Sequence, residues 1–242
     1  MTPTLFGLLV EAALYTVAIS VVSILIGFCI GMGVSAARLS PNPWLAVPAR
    51  AFVSFFRGVP LLVQLLLIYN LLPAIGINVP SIVAAVVGLS LCTAAYQAEN
   101  LRGGFASVPR GLLEAADMAG LTPWQQLLRI RAPIAFRLTL PSLINEAILI
   151  LKASSLVSVV GVVELTRMAQ DLDTSIYKPI QLYAGAGLLY FVINRGVSLA
   201  GAAAERKFSW GRARGSISPL SQAGCRIFST PSASRCSCGL SG

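Results

Sequence analysis

The sequence predicts an all-α integral membrane protein of about five transmembrane helices, with its N-terminus outside and one long, structured loop in the cytoplasm. Three observations carry that expectation. Hydrophobic residues fill 56% of the 242 positions and charged residues only 11%, against about 25% charged in a soluble domain. So few charges cannot cover a water-facing surface. The apolar residues are also gathered into runs long enough to span a bilayer, and the lysines and arginines fall in alternate segments between those runs. That alternation is how positive charge holds loops on the cytoplasmic side. A chain of this length fits one membrane domain.

The first run, residues 12–37, has no charge and exceeds the ~20 residues a helix needs to cross the hydrocarbon core. A cleaved signal peptide carries its basic segment ahead of the apolar stretch, whereas here the first basic residue, Arg38, follows it. The run reads as a mature first helix that ends inside. A connector is expected over 38–57, punctuated by Pro41, Pro43 and Pro48. Residues 58–98 hold no charge, and Pro73, Gly76 and Pro80 divide them, because proline and glycine together mark a turn. The second helix is expected near 58–72 and the third near 80–98. A fourth covers 138–161 and a fifth 179–204, joined by a mixed-charge loop with Glu164, Arg167, Asp171 and Asp173. Five crossings put Arg38, Arg50 and Arg57, the five arginines of loop 99–137, and the basic residues from Arg206 onward on one side. Four or six crossings break that agreement.

Loop 99–137 is the longest between spans and carries signs of internal structure. Leu112 to Ala119 are mostly good helix formers, and Gly120 stands where a helix ends on a left-handed residue. Thr122 then reads as an N-cap, Pro123 as the first helical residue and Gln125 as the return half of a capping box. A second short helix is expected to run to Pro133. One reading is a solvated connector. The other is a docking element, because Leu112, Leu113, Ala116, Met118, Ala119, Leu121 and Trp124 leave the pair apolar enough to seek a groove on a partner.

Within this loop Glu114-Ala115-Ala116 is followed by Gly120, and then by Ile130 and Pro133. The spacing resembles the EAA loop of ABC importer permeases, with Ala132 standing where that family has leucine. Further blocks, in order, resemble the polar amino acid branch of the family: Phe55 through Gln64, Tyr96 through Glu99 with Arg102-Gly103-Gly104, Leu151-Lys152 through Ser158, and Gly161 through Thr166. The likeness covers residues 8–207, and 208–242 form a tail whose composition suits disorder. The resemblance implies a type I importer subunit in the bacterial cytoplasmic (inner) membrane. Glu114, Ala115, Ala116, Gly120, Ile130 and Pro133 would couple it to a cytoplasmic ATP-binding subunit. A second permease copy or a related permease would complete the pathway. A periplasmic or lipid-anchored substrate-binding protein would deliver polar amino acids. The sequence contains no G-x-x-x-x-G-K-[ST] phosphate loop. Hydrolysis then falls to a partner chain and reaches this one mechanically; the chain is expected to be a transport subunit and not an enzyme.

The fourth helix carries Asn145, Glu146 and Lys152, although a mid-helix charge costs roughly 2.5–3.5 kcal/mol in a membrane. Asn145 and Lys152 share a helical face, and Glu146 is turned about 100° from Asn145. The three read either as a polar wall of the substrate path, where a zwitterion needs both signs, or as a network at a subunit interface. Glu99 and Arg102 are expected at the cytoplasmic edge as a gate or loop anchor. Arg57 belongs there too, or serves simply as an interfacial anchor, and Arg195 is placed to snorkel. Histidine is absent, which excludes His-based catalysis, proton relay and ligation. Cys225, Cys236 and Cys238 lack the spacing of a zinc site, and no metal or cofactor is expected. The net charge of +9 lies in loops and tail, so it does not point to nucleic acid. Two rivals stand beside the importer. An ion-coupled carrier is disfavoured by the low helix count and the lack of an internal repeat, and a membrane enzyme by the lack of an acid–base set.

Overall fold

The computed structural model describes residues 3–74, 76 and 78–208, and every element among them is helical. Of the expected tail 208–242, Phe208 belongs to the last helix, and residues 209–242, with the three cysteines, lie outside the described residues. Helix α1 (Pro3–Leu39) is followed by α2 (Pro43–Gly58) and α3 (Leu61–Ala74), then by α4 (Ser81–Ala106). A short α5 (Arg110–Met118) precedes α6 (Pro123–Gln126), which passes through a π turn (Leu127–Arg131) into α7 (Ala132–Ala153). A 3-10 segment (Ser154–Val160), α8 (Leu165–Ile176) and α9 (Pro179–Phe208) complete the order.

The centre of the bundle is the seam between α1 and α4, made possible by small residues. A methyl group placed on Gly27 would lie 2.7 Å from Thr93 Cβ, and one on Gly31 would lie 3.0 Å from the Ala94 carbonyl oxygen. Such close approach is how helices hold together in lipid, where the hydrophobic effect gives no drive for helix to meet helix. The contacts climb in step, from Gly27 with Thr93 to Arg38 with Glu99, so α1 and α4 run parallel. Leu65 of α3 meets Gly88, while Arg57 of α2 meets Tyr96 and Glu99, so that pair runs antiparallel to α4. The chain between the two parallel helices must return, and α2 and α3 occupy that stretch.

Among the described residues, four helices are long and apolar enough to cross a membrane, and the number reaches five if the α2–α3 pair, bent by 109°, counts as one span. The range of four to five includes the expected five, with the α2–α3 pair as its broken member. With 14 residues, α3 is about 21 Å long, short of a ~30 Å hydrocarbon core, and α2 turns away from it. α7 returns against α4, with Ala135 and Thr139 packed on Gly104, and Ile144 packs on Gly201 of α9. Ile19, Leu65, Ala85, Leu89, Ile150, Val157 and Val160 fill the core, and a second cluster of Leu9, Ala13, Leu165, Ala169 and Ala186 ties α1, α8 and α9 together.

Several expected boundaries are corrected. The connector 38–57 is mostly α2, whose N-terminus is fixed by Asn42 Oδ1 accepting from the Trp44 N–H at 3.0 Å and by Pro43 at its first position. The third span continues past residue 98 to Ala106, because Glu99 and Arg102 neutralise each other within it. The helix after Thr122 does not stop at Pro133. Proline lacks an N–H and crowds the carbonyl four residues back. The preceding π turn, in which the Ala132 N–H reaches Leu127 O, widens the helix there and lets one rod run from Pro123 to Val160. The fourth span ends on Gly161, at φ +83°, which suits glycine. The mixed-charge loop 162–178 holds α8, capped by Glu164.

Candidate functional site

At one end of the bundle α5 stands clear of the spans. It begins after Pro109 and closes with a Schellman motif: the Leu121 N–H donates to Ala116 O at 3.1 Å and the Gly120 N–H to Asp117 O at 2.9 Å. Gly120 adopts φ +71°, a conformation that costs other residues steric strain. Thr122 then forms the expected capping box: its N–H donates to Gln125 Oε1 at 3.0 Å, and its Oγ1 accepts from the Gln125 N–H at 3.4 Å. Gln126 Nε2 donates to Asp117 Oδ1 at 2.5 Å and so clasps α5 to the start of the long rod. The angle between the two helices is thus set by a turn, a cap and a clasp.

Ala116 is buried in this hairpin, while Glu114, Ala115 and Gly120 are exposed. The apolar side chains do not fold inward: Met118 is 91% exposed, Trp124 66% and Leu112 45%. Ile130 and Pro133 sit farther along the rod, half-buried and exposed respectively. Glu114, Ala115, Ala116 and Gly120 form one compact unit, and Ile130 and Pro133 lie on the stalk that joins it to α7.

A charged cluster marks the same end. Glu99 of α4 pairs with Arg38 from the end of α1 and with Arg102 one turn on, while Arg57 approaches to 3.7 Å. The Arg57 guanidinium also lies over the Tyr96 ring, 5.4 Å from its centroid, an arrangement that favours a cation. The three residues expected at this edge are brought together, and Arg38 joins them. Its position was signalled: Arg38 and Glu99 are each the first charge after a long uncharged run.

The polar residues of α7 divide. Asn145 and Lys152 are exposed on the protomer, whereas Glu146 is buried, within electrostatic reach of Arg57 and of Cys92 on α4. Two residues with no expected role hold the opposite end. Glu164 is fully buried; its Oε1 accepts from the Arg167 N–H at 3.0 Å, and its Oε2 accepts from the Tyr190 hydroxyl at 2.8 Å. Thr16 Oγ1 of α1 accepts from the Leu165 N–H at 3.0 Å. The local signal for Glu164 was a carboxylate three residues ahead of Arg167 in a stretch read as loop.

The bundle has one bent helix pair among its candidate spans and an exposed helical hairpin at one end, and comparisons with known proteins match it to transport permeases. Residues 29–210 match the family described as "Binding-protein-dependent transport system inner membrane component". The chain is 38% identical over 188 residues to the probable amino-acid ABC transporter permease YckA of Bacillus subtilis (78% of this chain, 83% of that one). It is 37% identical over 210 residues to the nopaline transport system permease NocM of Agrobacterium fabrum (81% and 87%), and 34% identical over 189 residues to the glutamine permease GlnP of Escherichia coli K12 (77% and 86%). Its fold matches a crystal structure of an amino acid ABC transporter with histidines, at TM-score 0.80 and 33% identity, over 83% of this chain and 94% of that one. The inward-facing MetNI methionine transporter shares the fold at TM-score 0.73 and 24% identity, over 86% and 99%. The chain belongs to the family of binding-protein-dependent transport system inner membrane components. It is a multi-pass permease subunit of ABC importers, a transport subunit whose ATPase is a separate chain.

Proposed function

We propose that this permease carries polar amino acids inward and that α5 is the lever through which its ATPase acts. The observation that carries the reading is the solvent-exposed hairpin, fixed at its turn, cap and clasp. Leu112 and Met118 of α5 and Trp124 at the start of the rod stand in solvent, apolar side chains that seek a groove on a partner, and the fixed ends of α5 let a push there travel into the rod Pro123–Val160. Glu114, Ala115, Ala116 and Gly120 form the docking unit, and Ile130 and Pro133 belong to the stalk. Arg38, Arg57, Glu99 and Arg102 anchor the helices from which the loop departs. The α5 end faces the cytoplasm and the N-terminus faces outside, as the positive charge around Arg38, Arg57 and Arg102 favours.

Asn145 and Lys152 wall the substrate path. They are exposed on the single protomer, and a second permease copy or a related permease would enclose them. Relatives named for nopaline, octopine, arginine, cystine and glutamine support a polar amino acid or amino acid conjugate as cargo, delivered by a substrate-binding protein. The test is co-purification of the ATP-binding subunit with Met118→Asp, a change at a solvent-facing side chain that leaves the fold intact. The variant should lose the subunit. Full retention would remove α5 from the interface.

A further inference from the structure

We infer that the open pocket between α1, α2 and α4, at the α5 end of the bundle, binds a phosphate-type anion supplied by a membrane lipid headgroup. The cavity, about 460 Å³, is lined by Arg38, Arg50, Ser54, Arg57, Tyr96 and Glu99 among others. Three guanidinium groups therefore face one carboxylate. That carboxylate is already engaged by Arg38 and, from the adjoining turn of α4, by Arg102, so positive charge is in surplus. Arg57 stands at 3.7 Å from Glu99, too long for a good hydrogen bond. Arg50 donates Nε to Ala46 O of its own helix at 3.1 Å, which leaves its terminal nitrogens to the cavity. Arg38 Nε is buried with no acceptor. Guanidinium groups with free donors match the paired oxygens of a phosphate, and the Ser54 hydroxyl adds one more donor at the rim.

The lipid source follows from where α2 lies. It is turned 109° from α3, and the face opposite Arg50 and Arg57 exposes Trp44 (87%), Leu45 (52%) and Phe55 (51%). A helix with one apolar, tryptophan-bearing face and one arginine face rests at the headgroup boundary. Its arginines then stand at the depth of lipid phosphates, and basic pockets between membrane helices take anionic headgroups. A zwitterionic headgroup brings its own cation against the arginine surplus, so a net anionic headgroup is the better match.

The experiment uses the full chain purified in detergent, with phosphatidylglycerol, phosphatidylcholine or inorganic phosphate added, read by native mass spectrometry and by thermal unfolding. Phosphatidylglycerol should stay bound and raise the unfolding temperature more than phosphatidylcholine does. Arg50→Gln and Arg57→Gln should each weaken its retention about fivefold. Ser54→Phe, which fills the cavity and keeps every charge, should weaken it as well and serves if the arginine variants misfold. Equal retention of both lipids, or retention unchanged in all three variants, overturns the site. Stabilisation by inorganic phosphate equal to that by phosphatidylglycerol overturns the lipid as its source.

Discussion

Arg38 at the end of α1 and Glu99 on α4 form an ion pair between positions 61 residues apart. The pair locks the two parallel spans at the end from which the α5 hairpin departs. Glu99 serves Arg102 and Arg57 as well, so its loss leaves several cations without a counter-charge. The site is partly shielded, with side chains 14% and 23% exposed. Glu99→Gln is accordingly expected to cost about 2 kcal/mol, between the ~0–1 of an exposed pair and the ~3–5 of a buried one that loses a partner. Thermal unfolding in detergent checks this, and Arg38→Gln combined with Glu99→Gln should cost less than the sum of the two.

The seam between α1 and α4 makes an equally direct prediction. At Gly27 an added methyl meets Thr93 Cβ at 2.7 Å and Ser90 O at 2.8 Å, whereas at Gly33 it meets nothing within 4 Å. Gly27→Ala should destabilise by about 1–3 kcal/mol through overpacking. Gly33→Ala should be neutral or slightly stabilising, since alanine favours a helix by about 1 kcal/mol. Unfolding curves of the two variants, measured side by side, separate the reading from a general intolerance to change in α1.

Much of this was legible in the sequence because it was local. Uncharged runs gave the spans, and Gly120, Thr122, Pro123 and Gln125 gave the turn and cap of the hairpin, each acting over a few residues. α2 and α8 were not legible. Both are short amphipathic helices lying beside the bundle, and the prolines of one and the charges of the other resemble connectors when no packing face is visible. The continuity of the rod through Pro133 depends on a π turn that leaves no compositional mark. The pairings of Arg38 with Glu99 and of Thr16 with Leu165 are set by which helices meet, and a single sequence does not display that.

The network around Glu164 should prove structural. Tyr190→Phe removes the hydroxyl that donates to Glu164 Oε2 and leaves a fully buried carboxylate short of a donor. A loss of about 2 kcal/mol is expected, in the range for hydrogen bonds to charged groups. The unfolding temperature should fall while the amount of ATP-binding subunit recovered per folded permease stays constant.

Lys152 tests the substrate face. If it walls the path beside Asn145, Lys152→Met should lower uptake about tenfold, as loss of one charged hydrogen bond does, while the assembled complex persists. Loss of assembly with that substitution would instead place Lys152 in the subunit interface.

The central claim is that ATP hydrolysis on a partner, received through α5, drives inward transport. Uptake of a labelled amino acid such as glutamine or arginine tests it most directly. The chain is reconstituted in proteoliposomes with its ATP-binding subunit and binding protein, with ATP supplied or withheld on the α5 side. Uptake should require ATP and should disappear in Met118→Asp while the permease remains folded. Uptake by the chain alone, driven by a proton or sodium gradient without ATP, would contradict the account.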